Sequence, residues 1–494
     1  MSRTGLWGFW WLFAVAAGLL GGCQAQKQEA LSFAIASAPS SLHPLFASDA
    51  ASERITALLY EPLVDFDTAQ QPVPGLIRWE RISDKHYRIR LNGQPSSFSD
   101  GSLPTLVDIE ATLAMASGNA RSPHAATLSH LTEVVHRGDW LDVHLSRPDP
   151  RFPEKLHLGL APADRLSGGA LARQPVGSGA FVFERWDAQN TITLLRKSDG
   201  QPVRFEVVPD PTMRALKLMR GEVQLLQNDL PYELYSYLTE QPGVRLQESP
   251  GSTFSYLGFN LEDQHTGDRR VRLAIAHAID REAIVEHLFR GHAQLTNTLL
   301  RPEHWAAHRE LTSYAHDPNR SLALLAELGY SPENPLKLSY KTSTDPFRLR
   351  VAAALQAQLQ EVGIELHIES YEWGTFFADI KAGNFQLCSL SWVGIRSPDI
   401  FRYIYHSDSL PPKGANRGRY RAPEVDLLID KADQATLAIA APVYHQVQAR
   451  VHHDLVYVPL WHENNLLLSR NVGVVKPSKE GAYDFLERVS LAHE

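Results

Sequence analysis

Val351-Ala352-Ala353-Ala354-Leu355-Gln356-Ala357-Gln358-Leu359-Gln360-Glu361-Val362-Gly363-Ile364-Glu365-Leu366-His367-Ile368 decides the fold. Ala352, Leu355, Leu359 and Val362 recur at helical spacing and lay one apolar stripe along a helix. Gly363 ends it, because glycine enters the left-handed conformation in which helices stop. Ile364, Leu366 and Ile368 then alternate with polar residues at the two-residue period of a strand. The same grammar repeats on either side. Asp268 caps a helix with Val271, Ala274, Ile275, Ala278 and Ile279 on one face, and Asp280 caps the next, which ends near Gly291. Asp317-Pro318 opens another with proline at its first position, stopped by Gly329. Phe385 to Leu390 reads as a buried strand. Helix then strand, repeated, is an α/β region.

The first half mixes short strands with fewer helices. Leu31, Phe33 and Ile35 alternate as a strand, and Pro39-Ser40-Ser41-Leu42-His43-Pro44 breaks it as a loop. Glu53 to Tyr60 has helical spacing. Tyr87, Ile89 and Leu91 alternate, Phe98-Ser99-Asp100-Gly101 is a turn, and Thr105 with Asp108 resembles a capping box opening a helix through Met115. Trp140 to Leu145, Thr191 to Leu195 and Val203 to Val208 read as strands. No internal repeat or low-complexity linker separates these segments, so the domains are expected to exchange strands.

The N-terminus sets the compartment. Arg3 gives a basic start, Trp7 to Leu20 is an uncharged run too short to span a bilayer, and Leu20-Gly21-Gly22-Cys23 follows. This resembles a bacterial lipobox, which implies removal of residues 1–22, acylation of Cys23 and an anchored protein working outside the cytoplasm. The sequence leaves inner and outer membrane open. The formal net charge of −8 comes from dispersed charges, without the basic patch that nucleic acid requires. Cys388 is the one other cysteine, so with Cys23 acylated no intramolecular disulfide forms.

Several segments together resemble the family 5 extracellular solute-binding proteins, the peptide and nickel receptors of ABC importers. They are Tyr60-Glu61-Pro62-Leu63-Val64, the Phe98 to Gly101 turn, Arg220-Gly221-Glu222-Val223, Tyr256-Leu257-Gly258-Phe259-Asn260, Asp268 to Arg272 through Ala278 to Glu282, Leu324 to Tyr330, Val362-Gly363-Ile364 and Trp392 to Asp399. Their order from about Leu31 to Leu460 carries the match. The resemblance implies an α/β, two-lobed fold like the type II, cluster C periplasmic binding proteins, with an extra small α+β domain. Mapped here, domain I is 23–54, 165–253 and 464–494, domain II is 55–164, and domain III is 254–463. The hinge is expected near Ser252 to Tyr256 and Glu463 to Leu467. Val176-Gly177-Ser178-Gly179-Ala180 departs from the family's Gly-Thr-Gly-Pro pattern.

By the same resemblance the chain is a monomeric, periplasmic, lipid-anchored receptor that captures a small solute, a peptide in the first reading, and presents it to an ABC permease and ATPase. A non-peptide solute (nickel chelate, haem, oligosaccharide) and a sensor or chaperone without a transporter stay open. The loop at the strand end supplies the expected ligand contacts: Trp392, Val393, Gly394, Ile395, Arg396, Ser397 and Asp399. Peptide-binding relatives place an Asp directly before the loop proline to receive the ligand's ammonium. Here Ser397 holds that place, so either Asp399 takes the ammonium or Arg396 meets an anionic group.

Chemistry other than binding finds little support. There is no Gly-Lys dipeptide for a phosphate loop and no Gly-x-Ser-x-Gly or Ser-x-x-Lys nucleophile, so no catalysis and no cofactor are expected. His304 and His308 stand four apart without an acidic or Cys partner at ligand spacing; in a chain with 21 histidines they read as solvated surface, with no metal. Trp373 and Phe376 read as core.

Overall fold

The computed structural model describes residues 29–491 apart from Ala120 and Ala126, so Cys23 and the segment before it lie outside the described residues. The decisive stretch folds as read. Asp345 caps the helix Pro346–Glu361 by accepting from Arg348 N at 2.9 Å, and Val351, Ala352, Leu355 and Leu359 form its buried face. Gly363 follows at φ 87° and the strand Ile364–Tyr371 begins directly. Asp268, Asp280 and Asp317 each cap their helices through a side-chain oxygen, and Thr105 with Asp108 forms the capping box of Leu106–Gly118.

One eleven-stranded sheet runs through the described residues. On one side Ile364–Tyr371, Leu336–Ser343 and Leu387–Trp392 lie parallel, the arrangement that helix crossovers impose. On the other, Leu31–Ile35 lies parallel between Pro202–Val207 and Leu225–Gln227, and the hairpin strands Ile192–Arg196 and Phe181–Trp186 complete the edge. All five residues of Leu31–Ile35 are buried, Ser32 included, because both faces of this parallel strand are covered; the alternation in its sequence does not mark an exposed face. A separate antiparallel sheet joins Ile77–Ser83, His86–Leu91, Trp140–Leu145 and Leu131–Arg137.

Two long antiparallel strands, Val244–Phe259 and Tyr457–Arg470, join the halves of the large sheet. Val244 to Ser249 pair with Arg470 to Asn465, and Thr253 to Gly258 pair with Glu463 to Tyr457. Between them Pro250, Gly251 and Ser252 bulge out against Asn464 alone. A Cβ on Gly251 would stand 2.0 Å from Glu463 O, so this crossing requires glycine.

The cores sit on either side of that bulge. One gathers Leu31, Phe33, Ile55, Leu58, Ile109, Phe152, Phe205 and Phe485. Beyond the crossing, Leu257, Ile275, Leu338, Leu355, Ile364 and Trp461 form a second, and Tyr256, Phe376, Phe401, Val425, Tyr444 and Tyr457 a third. Each large side chain buried in this way contributes about 1.5–3 kcal/mol. The molecule is thus a first body, containing the chain up to the crossing and its C-terminal return, and a second body between the two passes. Phe376 is core, as read, but Trp373 is not: it opens the helix Trp373–Ala382 54% exposed, its ring stacked on Phe377 at 5.4 Å.

Candidate ligand cleft between the two bodies

Residues 393–399 leave the strand Leu387–Trp392 of the second body before the helix Ile400–Tyr405 begins, and Arg396, Ser397 and Asp399 reach the first body. Trp392 is half-buried, its ring near-parallel to Tyr256 at 6.3 Å with the Arg417 guanidinium 4.5 Å from its centre. Val393 is 64% exposed and Gly394 makes the turn at φ 69°. Ile395 lines an open cleft of about 430 Å³. The second body contributes Leu299, Leu300, Arg301, Glu303 and His304 to its walls, the first body Thr68, Gln70, Lys479 and Glu480, and the crossing Ser252.

Arg396 is held by two histidines, one from each body. Its carbonyl accepts from His304 Nε2 at 3.1 Å, while His304 Nδ1 accepts from Ala306 N at 3.0 Å. His304 is therefore not solvated surface but a buried neutral ring that fixes the loop; burial pushes its pKa down to about 4. His304 and His308 also stand outside any helix, so the one-face pairing their spacing suggested does not form. On the other side, His157 Nδ1 lies 2.9 Å from Val64 O and must donate to it, which leaves Nε2 to accept from Arg396 Nη1 at 2.5 Å. Burial, then the Arg396 charge, pushes the His157 pKa down to about 4, so the ring is neutral at pH 7.

Ser397 and Asp399 are committed to the first body. Ser397 Oγ donates to Glu154 Oε2 at 3.3 Å. The Asp399 carboxylate takes Arg151 Nη2 at 2.9 Å on one oxygen and Lys155 Nζ at 3.0 Å on the other. Burial alone would raise the Asp399 pKa, but Lys155 and Arg151 outweigh it and hold the carboxyl well below the usual range.

Arg151 is the centre of this network, with a side chain only 2% exposed. Its guanidinium donates to Asp399, to Glu154 at 3.2 Å, to Asp433 at 3.5 Å and to Tyr444 Oη at 2.7 Å, and lies over the Tyr444 and Trp305 rings at 5.3 and 5.8 Å. Lys155 also pairs with Asp149 at 2.8 Å. Asp433 is held more closely by Arg402, at 2.5 Å. Burial, only partly offset by the Arg151 charge, pushes the Glu154 carboxyl up to about 7.

The structure therefore brings Ile395, Arg396, Ser397 and Asp399 to the interface of the bodies, whereas Trp392 packs on Tyr256 and Arg417 inside the second body and Val393 is exposed. Periodicity gave no sign of Arg151, Glu154, Lys155 and His157, which stand around a short 3₁₀ turn, Phe152–Lys155. The signal available was composition: Arg147-Pro148-Asp149-Pro150-Arg151-Phe152-Pro153-Glu154-Lys155 is dense in charge and proline, unusual for a segment that turns out buried.

Two α/β bodies joined by a pair of crossing strands, with a polar cleft between them, define a solute-binding protein of the two-lobed kind. Residues 71–412 match the family described as bacterial extracellular solute-binding proteins, family 5 Middle, and the chain belongs to that family. Among curated relatives, the probable di/tripeptide-binding protein 5 of Pseudomonas aeruginosa is 28% identical over 372 residues, covering 70% of each chain. Among solved structures, NikA from Brucella suis in complex with Fe(III)-EDTA superposes with a TM-score of 0.84 at 20% identity, over 94% of this chain and 100% of that one. The ABC transporter-associated periplasmic binding protein DppA from Helicobacter pylori, in complex with the peptide STSA, gives 0.75 at 24%, over 95% and 99%. The fold is accordingly the α/β, type II architecture of the periplasmic binding proteins.

Proposed function

We propose that the protein captures a peptide between its two bodies by hinge closure and delivers it to an ABC permease, performing no chemical conversion. The observation that carries this is the loop 392–399, whose residues reach across the cleft to His157, Glu154, Arg151 and Lys155 of the first body. Such cross-body contacts form only when the bodies approach, and a ligand favours that state if it touches both walls. The peptide reading is supported by the relatives named for di- and tripeptides. In this reading 23–54, 165–253 and 464–494 form domain I, 55–164 domain II and 254–463 domain III, with flexing at the Pro250 to Ser252 bulge. Trp392 and Ile395 line the ligand's path, and acyl chains on Cys23 tether the receptor to a membrane.

The test is native mass spectrometry of the protein against di- and tripeptide libraries, followed by X-ray scattering. A bound peptide that lowers the radius of gyration and raises the melting temperature is the expected result. A tight peptide complex with an unchanged scattering curve would rule out the closing trap, and co-purification of haem or a nickel chelate, with no peptide bound, would replace the ligand class.

A further inference from the structure

Arg151 belongs to the first body, yet Asp399, Asp433, Tyr444 and Trp305 of the second form a socket around its guanidinium. Neither Arg151 nor Asp399 lines the cavity between the bodies. Their contact is direct, at 2.9 Å, and no solute has to stand between them for it to form.

The two halves of this contact are largely complete on their own. Within the first body Arg151 keeps Glu154 at 3.2 Å, Lys155 keeps Asp149 at 2.8 Å, and Asp149 also holds His130 Nε2 at 2.9 Å. Within the second, Asp433 keeps Arg402 at 2.5 Å and accepts from Tyr444 Oη at 2.7 Å. Asp399 is the exception. Among the described residues the cations within 4.0 Å of its carboxylate, Arg151 and Lys155, both come from the first body. Its side chain is 28% exposed even with the bodies joined, so on separation it returns readily to water. A charge left buried and unpaired would be costly, and here each group is either paired within its own body or hydrated once the bodies part. A contact that forms and breaks reversibly requires that property; permanent packing does not.

We propose that Arg151 is a built-in latch and Asp399 its catch: Arg151 enters the socket of the second body in the ligand-free protein, so the chain itself supplies part of the closing free energy and a bound peptide supplies the rest. This rests on the hinge closure described above. Apparent affinity then follows the fraction of molecules able to close. Removing one charge-assisted hydrogen bond from the latch corresponds to about ten- to a hundredfold in that affinity.

The experiment compares wild type, Arg151→Ala, Asp399→Asn and the double variant by X-ray scattering without ligand and by calorimetry against di- and tripeptide libraries. Melting curves confirm that each is folded, and Asp399→Asn, the same size as the residue it replaces, carries the test if Arg151→Ala is not. Both single variants are expected to show a larger ligand-free radius of gyration than wild type and about ten- to a hundredfold weaker peptide binding, and the double variant to be no worse than Arg151→Ala. Millimolar guanidinium chloride should fill the emptied socket and return Arg151→Ala towards the wild-type radius, while leaving Asp399→Asn expanded; sodium chloride at equal ionic strength should do neither. Ligand-free single variants as compact as wild type, losses that add in the double variant, or a guanidinium effect no greater than that of sodium would overturn the latch. The hinge itself is read separately: peptide that compacts Arg151→Ala keeps hinge closure whatever becomes of the latch, and peptide that binds this variant without compacting it removes hinge closure.

Discussion

Glu154 touches both Arg151 and Ser397 and has the least settled charge in the cross-body network. Its pKa rises from 4.5 to about 7 in the folded chain. Between those values the folded protein keeps a proton that the unfolded chain releases, so this contribution is full below about 4.5 and is lost as pH rises through about 7. His157 works in the opposite sense: its folded pKa of about 4 lies below the ordinary 6.5, so its contribution is lost as pH falls through that window. Glu154→Gln removes the stabilisation that Glu154 gives at pH 5 relative to pH 8, so its urea midpoint at pH 5, taken relative to that at pH 8, should fall below the wild-type difference; an unchanged difference would mean that Glu154 is ionised throughout. At this scale the sequence was informative about identity and silent about partnership. Asp399 was visible as the loop's acid, but its two cations come from 248 and 244 residues away, a pairing that no local pattern encodes.

Helices and strands were the most legible part, because their signals are local. The stripe ending at Val362, the stop at Gly363 and the alternation after it each depend on residues within a few positions, and all three appear in the structure. The crossing of Val244–Phe259 over Tyr457–Arg470 is different, since its geometry is set by a partner strand some two hundred residues later. Gly251 shows the consequence. Its neighbour Ser252 was read as part of a hinge, but the need for glycine arises from Glu463 O across the sheet. Gly251→Val should destabilise the protein by about 1–3 kcal/mol in chemical denaturation. Gly118→Ala, at a helix end where a Cβ meets nothing within 4 Å, should stay within about 0.5 kcal/mol. Equal effects at the two sites would show that the crossing tolerates a side chain.

For the whole molecule, the proposed tether at Cys23 is open to a direct test. If several acyl chains attach at Cys23, each buried methylene adds about 0.8 kcal/mol and the protein should sediment with membranes. Cys23→Ala should release it, with the acyl mass gone from the intact-protein spectrum; a wild type found soluble and unacylated in its native host would remove the anchor. The sequence by itself determined the family, the alternation of helix and strand and the loop that meets the cleft, because each is written in neighbouring residues or in the order of short motifs. Only the tertiary structure decided how that loop is used. It brought Arg151, Lys155 and His157 of the first body to Asp399 and Arg396 of the second and joined Asp399 to two cations. The physical reason is that charge pairing in a cleft depends on distance in space, and here the distance is set by two bodies folded around separate cores and joined by one pair of strands.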